Sequence, residues 1–134
     1  MTDTILEIQG AVTARLKSSA GVSALVVGRV YDPVPLNAAR PYISFGPSDA
    51  LSDDADCIDT DEISFQIDCW SESPGFVQVR RISDAVRRAL NDEFSINNNA
   101  LVLFEHRKTR IFRDPDGVTS HAAMTFTAVV ERAT

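Results

Sequence analysis

Apolar residues recur at helical spacing near the start of the chain. Ile5, Ile8, Val12 and Leu16 fall on one helical face. Thr4-Ile5-Leu6-Glu7 has the form of a capping box, with Thr4 at the cap and Glu7 reaching back. This predicts a first helix over residues 4–20, stopped at Gly21. The stretch LVVGRVYDPVP that follows reads as extended and broken by Pro33 and Pro35. PYISFG, residues 41–46, predicts a short strand with Ile43 and Phe45 on one face. EISFQIDCW, residues 62–70, alternates cleanly. Ile63, Phe65, Ile67 and Cys69 point one way, and Glu62, Ser64, Gln66, Asp68 and Trp70 the other.

A second helix is expected over residues 75–91, opened by Ser73-Pro74, with Val79, Ile82, Val86 and Ala89 as its buried stripe. ALVLFEHRKTRIF, residues 100–112, and TSHAAMTFTAVVER, residues 119–132, read as two long strands. RDPDGV joins them as a turn. On the returning strand Ala122, Met124, Phe126, Ala128 and Val130 face one side, while His121, Ala123, Thr125, Thr127 and Val129 face the other. The order is helix, three extended segments, helix, two strands. Two amphipathic helices on one face of a mainly antiparallel sheet form an α+β domain, and the chain of 134 residues holds one such domain, 1–134.

Charge changes the picture in one place. The net charge is −6, and from Pro41 to Val79 there are nine acids and no base. DALSDDADCIDTDE, residues 49–62, holds seven of them: Asp49, Asp53, Asp54, Asp56, Asp59, Asp61 and Glu62. Lying between two strands, the segment reads as a solvated hairpin loop over 47–61, ordered by basic residues of a neighbouring copy such as Lys108 or Arg110. An acidic chain adheres to DNA only through a local basic patch. HRKTRIFR, residues 106–113, is the one basic run. On a regular strand His106, Lys108 and Arg110 share one face, and Arg107 and Arg113 the other. It fits either an acidic partner or a solvated strand end. Opposite charge on two patches of one surface favours head-to-tail association, which closes into a ring when the rotation allows. Trp70, on the outer face of its strand, is a further candidate contact.

The residues supply no catalytic or metal-binding apparatus. A calcium loop starting at Asp54 meets Ile58 and Asp59 where an acid and a glycine are needed. Cys57, Cys69, His106 and His121 form no closely spaced zinc-ligand pair. There is no G-x-S-x-G elbow and no glycine-rich phosphate loop. No apolar run approaches the ~18 residues of a membrane span. MTDTILEIQG lacks the basic start of a signal peptide. The expectation is a non-enzyme without cofactors, made in the cytoplasm with both thiols free.

Three stretches together carry a resemblance: RVYDPVPLNAARPYISFG (29–46), DCWSESPG (68–75) and RDPDGVTSHAAMTF (113–126). Their order and spacing resemble small tail-completion proteins, the tail terminators of long-tailed phages and gene transfer agents. The likeness runs from the first helix to the final strand. It implies an α+β subunit that assembles into a ring of six. The ring would cap the tail tube, stop its polymerisation and join the tail to the head connector, with DNA passing through it. The implied partners are further copies of the chain, the tail tube protein and a connector or stopper protein. The implied location is the head–tail junction of a phage-like particle assembled in the bacterial cytoplasm. Two other readings stand beside it: a head-side stopper or connector, and an acidic module that occupies a basic site. The family motifs mark turns and fold, so the interface candidates come from the residues alone: Asp49, Asp53, Asp54, Asp56, Asp59, Asp61, Trp70, Lys108, Arg110 and Arg113.

Overall fold

The structure, a computed structural model, describes residues 3–55, 58–91 and 95–133. The elements are α1 (Thr4–Ser18), α2 (Ala20–Val26), β1 (Val30–Tyr31), β2 (Tyr42–Ala55), β3 (Ile58–Ser71), α3 (Val77–Asn91), β4 (Ala100–Arg113) and β5 (Ser120–Glu131). The five strands form one sheet in the order β1-β2-β3-β5-β4. Only the short β1 pairs in parallel; β2–β3, β3–β5 and β4–β5 are antiparallel. The α+β class and the helix–sheet packing agree with the sequence reading.

The first helix is in fact two. Ser19 ends α1, its N–H bonding the Arg15 carbonyl at 3.1 Å, and opens α2, its hydroxyl accepting from the Val22 N–H at 3.4 Å. Gly21 therefore lies inside α2 rather than stopping a helix, and Leu25 and Val26 of the expected extended stretch are helical. The cap of α1 is Asp3, whose Oδ1 accepts from the Leu6 N–H at 2.9 Å. Thr4 and Glu7 turn to tertiary work instead. The Thr4 hydroxyl donates to Asp61 at 2.7 Å, and the Glu7 carboxylate accepts from the Asn98 and Asn99 N–H groups at 2.8 and 3.0 Å. Burial works to raise the Glu7 pKa, but these bonds together hold it below the usual carboxylate range. The third helix starts at Val77, later than Ser73-Pro74 implied.

All three helices lie on one face of the sheet. Ile8, Val12 and Leu16 of α1, Val22 and Val26 of α2, and Val79, Ile82, Val86 and Leu90 of α3 meet the inward residues of the strands. Those are Ile43, Ile63, Phe65, Ile67 and Cys69 on β2 and β3, and Ala122, Met124, Phe126, Ala128 and Val130 on β5. Burying each large aliphatic side chain contributes about 1.5–3 kcal/mol. Cys69 is a free thiol with its pKa raised by burial and by the neighbouring Asp68. Cys57 lies outside the described residues.

The acidic segment is the principal correction. It is not a loop over 47–61. The strands β2 and β3 run through it and pair almost to the turn, with Leu51 opposite Glu62, Asp53 opposite Thr60 and Asp54 opposite Asp59. Beyond the register shift between Phe45 and Ser48, the hairpin becomes an arm. Gly46 sits at that shift, and the reason is steric. A Cβ there would lie 2.8 Å from Asp68 Oδ2, 2.9 Å from Gln66 Nε2 and 3.1 Å from Gln66 Cβ.

Candidate assembly interface

The face of the sheet away from the helices is not covered by any element among the described residues. Pairing registers set its side chains in rows. Near the arm, Leu51, Glu62, Val129 and Leu103 follow one another across β2, β3, β5 and β4. The next row is Asp49, Ser64, Thr127 and Glu105. Further along come Gln66, Thr125 and Lys108, then Ser44, Asp68, Ala123 and Arg110, then Tyr42, Trp70, His121 and Phe112. Charge is thus graded. Asp49, Glu62 and Glu105 lie toward the arm, and the bases Lys108 and Arg110 lie along β4.

Trp70 is on this face as the alternation implied, but it is no free contact residue. Its indole is half-buried, stacked on His121 with ring centroids 3.8 Å apart, and its Nε1–H donates to Ser44 Oγ at 2.9 Å. His121 Nε2 lies 2.6 Å from Asp68 Oδ1, which also accepts from Gln66 Nε2 at 2.8 Å. Asp114 stands 3.7 Å from His121 Nδ1. Tyr42 and Phe112 flank the stack, with centroids 6.1 Å from Trp70 and 4.7 Å from His121. Asp68 is one of the few buried carboxylates, and its neighbours satisfy it. The cluster gives the open face an aromatic end away from the arm.

The acids of the arm divide by strand parity. Asp49 and Asp53 are exposed on the helix-free side. Asp54 and Asp61 point to the helix side and meet a base from their own chain: Arg132 pairs with Asp54 at 2.7 Å and also with Asp61. The Arg132 N–H donates to the Asp59 carbonyl at 2.8 Å. Bonding to Asp61, then to Asp54, holds the Arg132 guanidinium pKa above its ordinary value. Within the chain, the basic partner of these two acids is Arg132. Asp56 lies outside the described residues. Sequence reasoning passed over Arg132 because nothing local marks it. Only the β3–β5 register, which sets Thr60 opposite Glu131, carries the next residue to the arm.

The basic run is also rearranged. A register shift between His106 and Lys108 places a bulge at Arg107 and inverts the expected sharing. His106 turns to the helix side, its ring edge-on to Phe126 at 5.4 Å, while Lys108 and Arg110 stay on the open face. Burial, and then the nearby Arg87 charge, push the His106 pKa below its ordinary value. Arg107 pairs with Glu105 at 2.6 Å. Arg113 leaves the group altogether, its guanidinium 5.2 Å from the centre of the Phe76 ring. Arg110 lies 5.2 Å from the Phe112 ring. Of the predicted bases, Lys108 and Arg110 remain together on the open face.

Among the described residues, no three His, Cys, Asp or Glu side chains group as a metal site. No helix among them is long and apolar enough to cross a membrane. The clefts are shallow. One of about 380 Å³ lies between α3 and β4, lined by Arg80, Ser83, Asp84, Arg87, Thr109 and Ile111.

Comparison with known proteins agrees with this picture. No curated protein matches the chain in sequence. Among solved structures, a chain from "Virion of native gene transfer agent (GTA) particle" superposes with a TM-score of 0.88 at 26% identity, covering 98% of this chain and 99% of that one. Residues 10–131 match the family described as Tail completion protein gp17. The chain belongs to that family: it is a structural tail-completion protein of a phage-type virion, not an enzyme.

Proposed function

We propose that this chain is a tail terminator: a ring, six copies in the implied assembly, that caps the finished tail tube, stops its growth and seats the head connector. The observation that carries the proposal is the superposition, over nearly its whole length, on a chain of a gene transfer agent virion. The geometry supports it in three ways. The helix-free face carries Ser64, Ala123, Thr125 and Thr127 at its centre between charged, apolar and aromatic positions, a surface suited to subunit contact or to a channel wall. The exposed acids Asp49 and Asp53 lie on β2 and the bases Lys108 and Arg110 on β4, at opposite sides of the sheet, which suits heterologous, ring-closing contact. The net charge of −6 suits a conduit through which DNA passes without adhering. The partners are then further copies of the chain, the tail tube protein and the connector or stopper, and the site of action is the head–tail junction of particles assembled in the bacterial cytoplasm.

The test is genetic and direct. Particles assembled without this chain should carry tail tubes of uncontrolled length, and supplying the chain should restore a uniform length. Tubes of normal length joined to leaking heads would instead favour the head-side stopper.

A further inference from the structure

The sheet ends in two unpaired edges, and they differ. On one side, β1 covers β2 only at Ile43 and Ser44, so the edge of the arm from Ser48 to Ala55 has no strand against it among the described residues. On the other side, β4 pairs with β5 alone among the described residues, and its second edge is equally open there. Open edges invite pairing with another chain, and proteins restrict it with charge, proline and bulges. Here β4 carries Lys108 and Arg110, with Glu105 offset by its paired Arg107 at the bulge, so its charge is net positive, while β2 carries Asp49 and Asp53 beyond Pro47. Two β4 edges repel one another, and so do two β2 arms. A β4 edge beside a β2 arm does not.

Resting on the ring reading, we propose that subunits join by strand addition: β4 of one copy pairs antiparallel with the β2 arm of the next. The strand directions allow it. Three successive antiparallel pairings make β4 run opposite to β2, so the next copy's β2 continues the alternation. The faces allow it as well. Lys108, Arg110, Asp49 and Asp53 all lie on the helix-free side, so an extended sheet brings bases and acids together as cross-strand neighbours on one surface.

The stagger this demands is modest. Asp49 is level with Thr127 of β5, and Arg110 with Ala123, four residues apart on that strand. Four residues at ~3.3 Å each is about 13 Å, and four strands spaced ~4.8 Å are about 19 Å wide. That ratio corresponds to a strand tilt of roughly 35°, within the range at which sheets close on themselves. The helix-free faces would then form one continuous wall around the ring.

The experiment measures amide hydrogen exchange in the full chain, free and assembled into rings, alone or on tube ends. Segments 48–55 and 104–111 should exchange at least about tenfold more slowly in the ring. Charge reversal supplies a second reading. Lys108→Glu with Arg110→Glu, or Asp49→Lys with Asp53→Lys, should leave folded monomers, and all four changes in one chain should restore the ring. Rings that form with unchanged exchange in both segments overturn strand addition and leave the ring reading standing. A fourfold variant that stays monomeric though folded overturns it too. A wild-type chain that makes no ring even on tube ends overturns both.

Discussion

The two halves of the β2–β3 hairpin share one backbone ladder and differ in what lies above it. In the half near Ile43 and Ile67, the inward side chains are fully buried under the helices. At the outer end of the arm, beyond the buried Ile63, the helix side is held by Arg132 and Thr4 acting on Asp54 and Asp61. Asp49, Leu51, Asp53 and Ile58 are exposed. The core half is held by burial, which water does not reach and salt does not screen. The outer end of the arm is held by backbone bonds and a charged clamp that salt and substitution weaken. One hairpin thus carries both a stable foundation and an element available to a partner.

Five substitutions probe this contrast, beginning with the largest effect. Phe126→Ala removes a fully buried ring that stacks on Phe65 and Phe104 at 5.6 Å. It should cost about 3–5 kcal/mol of unfolding free energy. Leu51→Ala, in the arm, should stay within about 0.5 kcal/mol. Chemical denaturation of the two variants checks the pair, and equal losses would abolish the distinction. Next comes the joint between the halves. Gly46→Ala forces the Gln66–Asp68 pair aside and should cost about 1–3 kcal/mol in the same assay.

The alternations of β3 and β5 were legible because each has one buried and one open face, which writes a period of two into the sequence. The stripe of α3 was legible for the matching reason. Other features were not. Ser19 serves two helices at once, so a single periodic run concealed a break, and the apolar Leu25-Val26-Val27 looked like a strand. The arm was hidden by its own composition. Aspartate is poor in strands, but tethering to two good strand segments and pairing to β5 override that preference. The Arg107 bulge moved His106 and Lys108 to opposite faces, an irregularity that no local pattern announces. The interface candidates were therefore identified as charged residues, while their partners depended on register.

The arm's clamp gives the next prediction. Arg132→Met should speed amide exchange several-fold in segments 48–55 and 58–62, and leave the α3 and central β5 amides unchanged. Acceleration throughout the sheet would show that arm and core open as one unit. The smallest effect is at the opposite end, in the β4–β5 turn. The Thr119 hydroxyl and the N–H groups of Thr119 and Val118 bond the Asp116 carboxylate and lower its pKa to about 2. A depressed folded-state pKa means this contribution is complete above the unfolded value near 3.8 and disappears as pH falls through about 2. The stability gap between the wild type and Asp116→Ala should therefore persist at pH 5 and narrow between pH 4 and 2. A gap constant across that window would mean the carboxylate is not what holds the turn.

The proposed tail terminator requires copies of this chain to close a ring at the head-proximal end of the tail. Electron microscopy of intact particles, with this chain tagged at an exposed turn such as Gly117, tests it most directly. The expected result is a single tagged ring with six-fold symmetry between the last layer of the tube and the head connector. Tags along the tube, at its distal tip, or on the head side of the connector would contradict it.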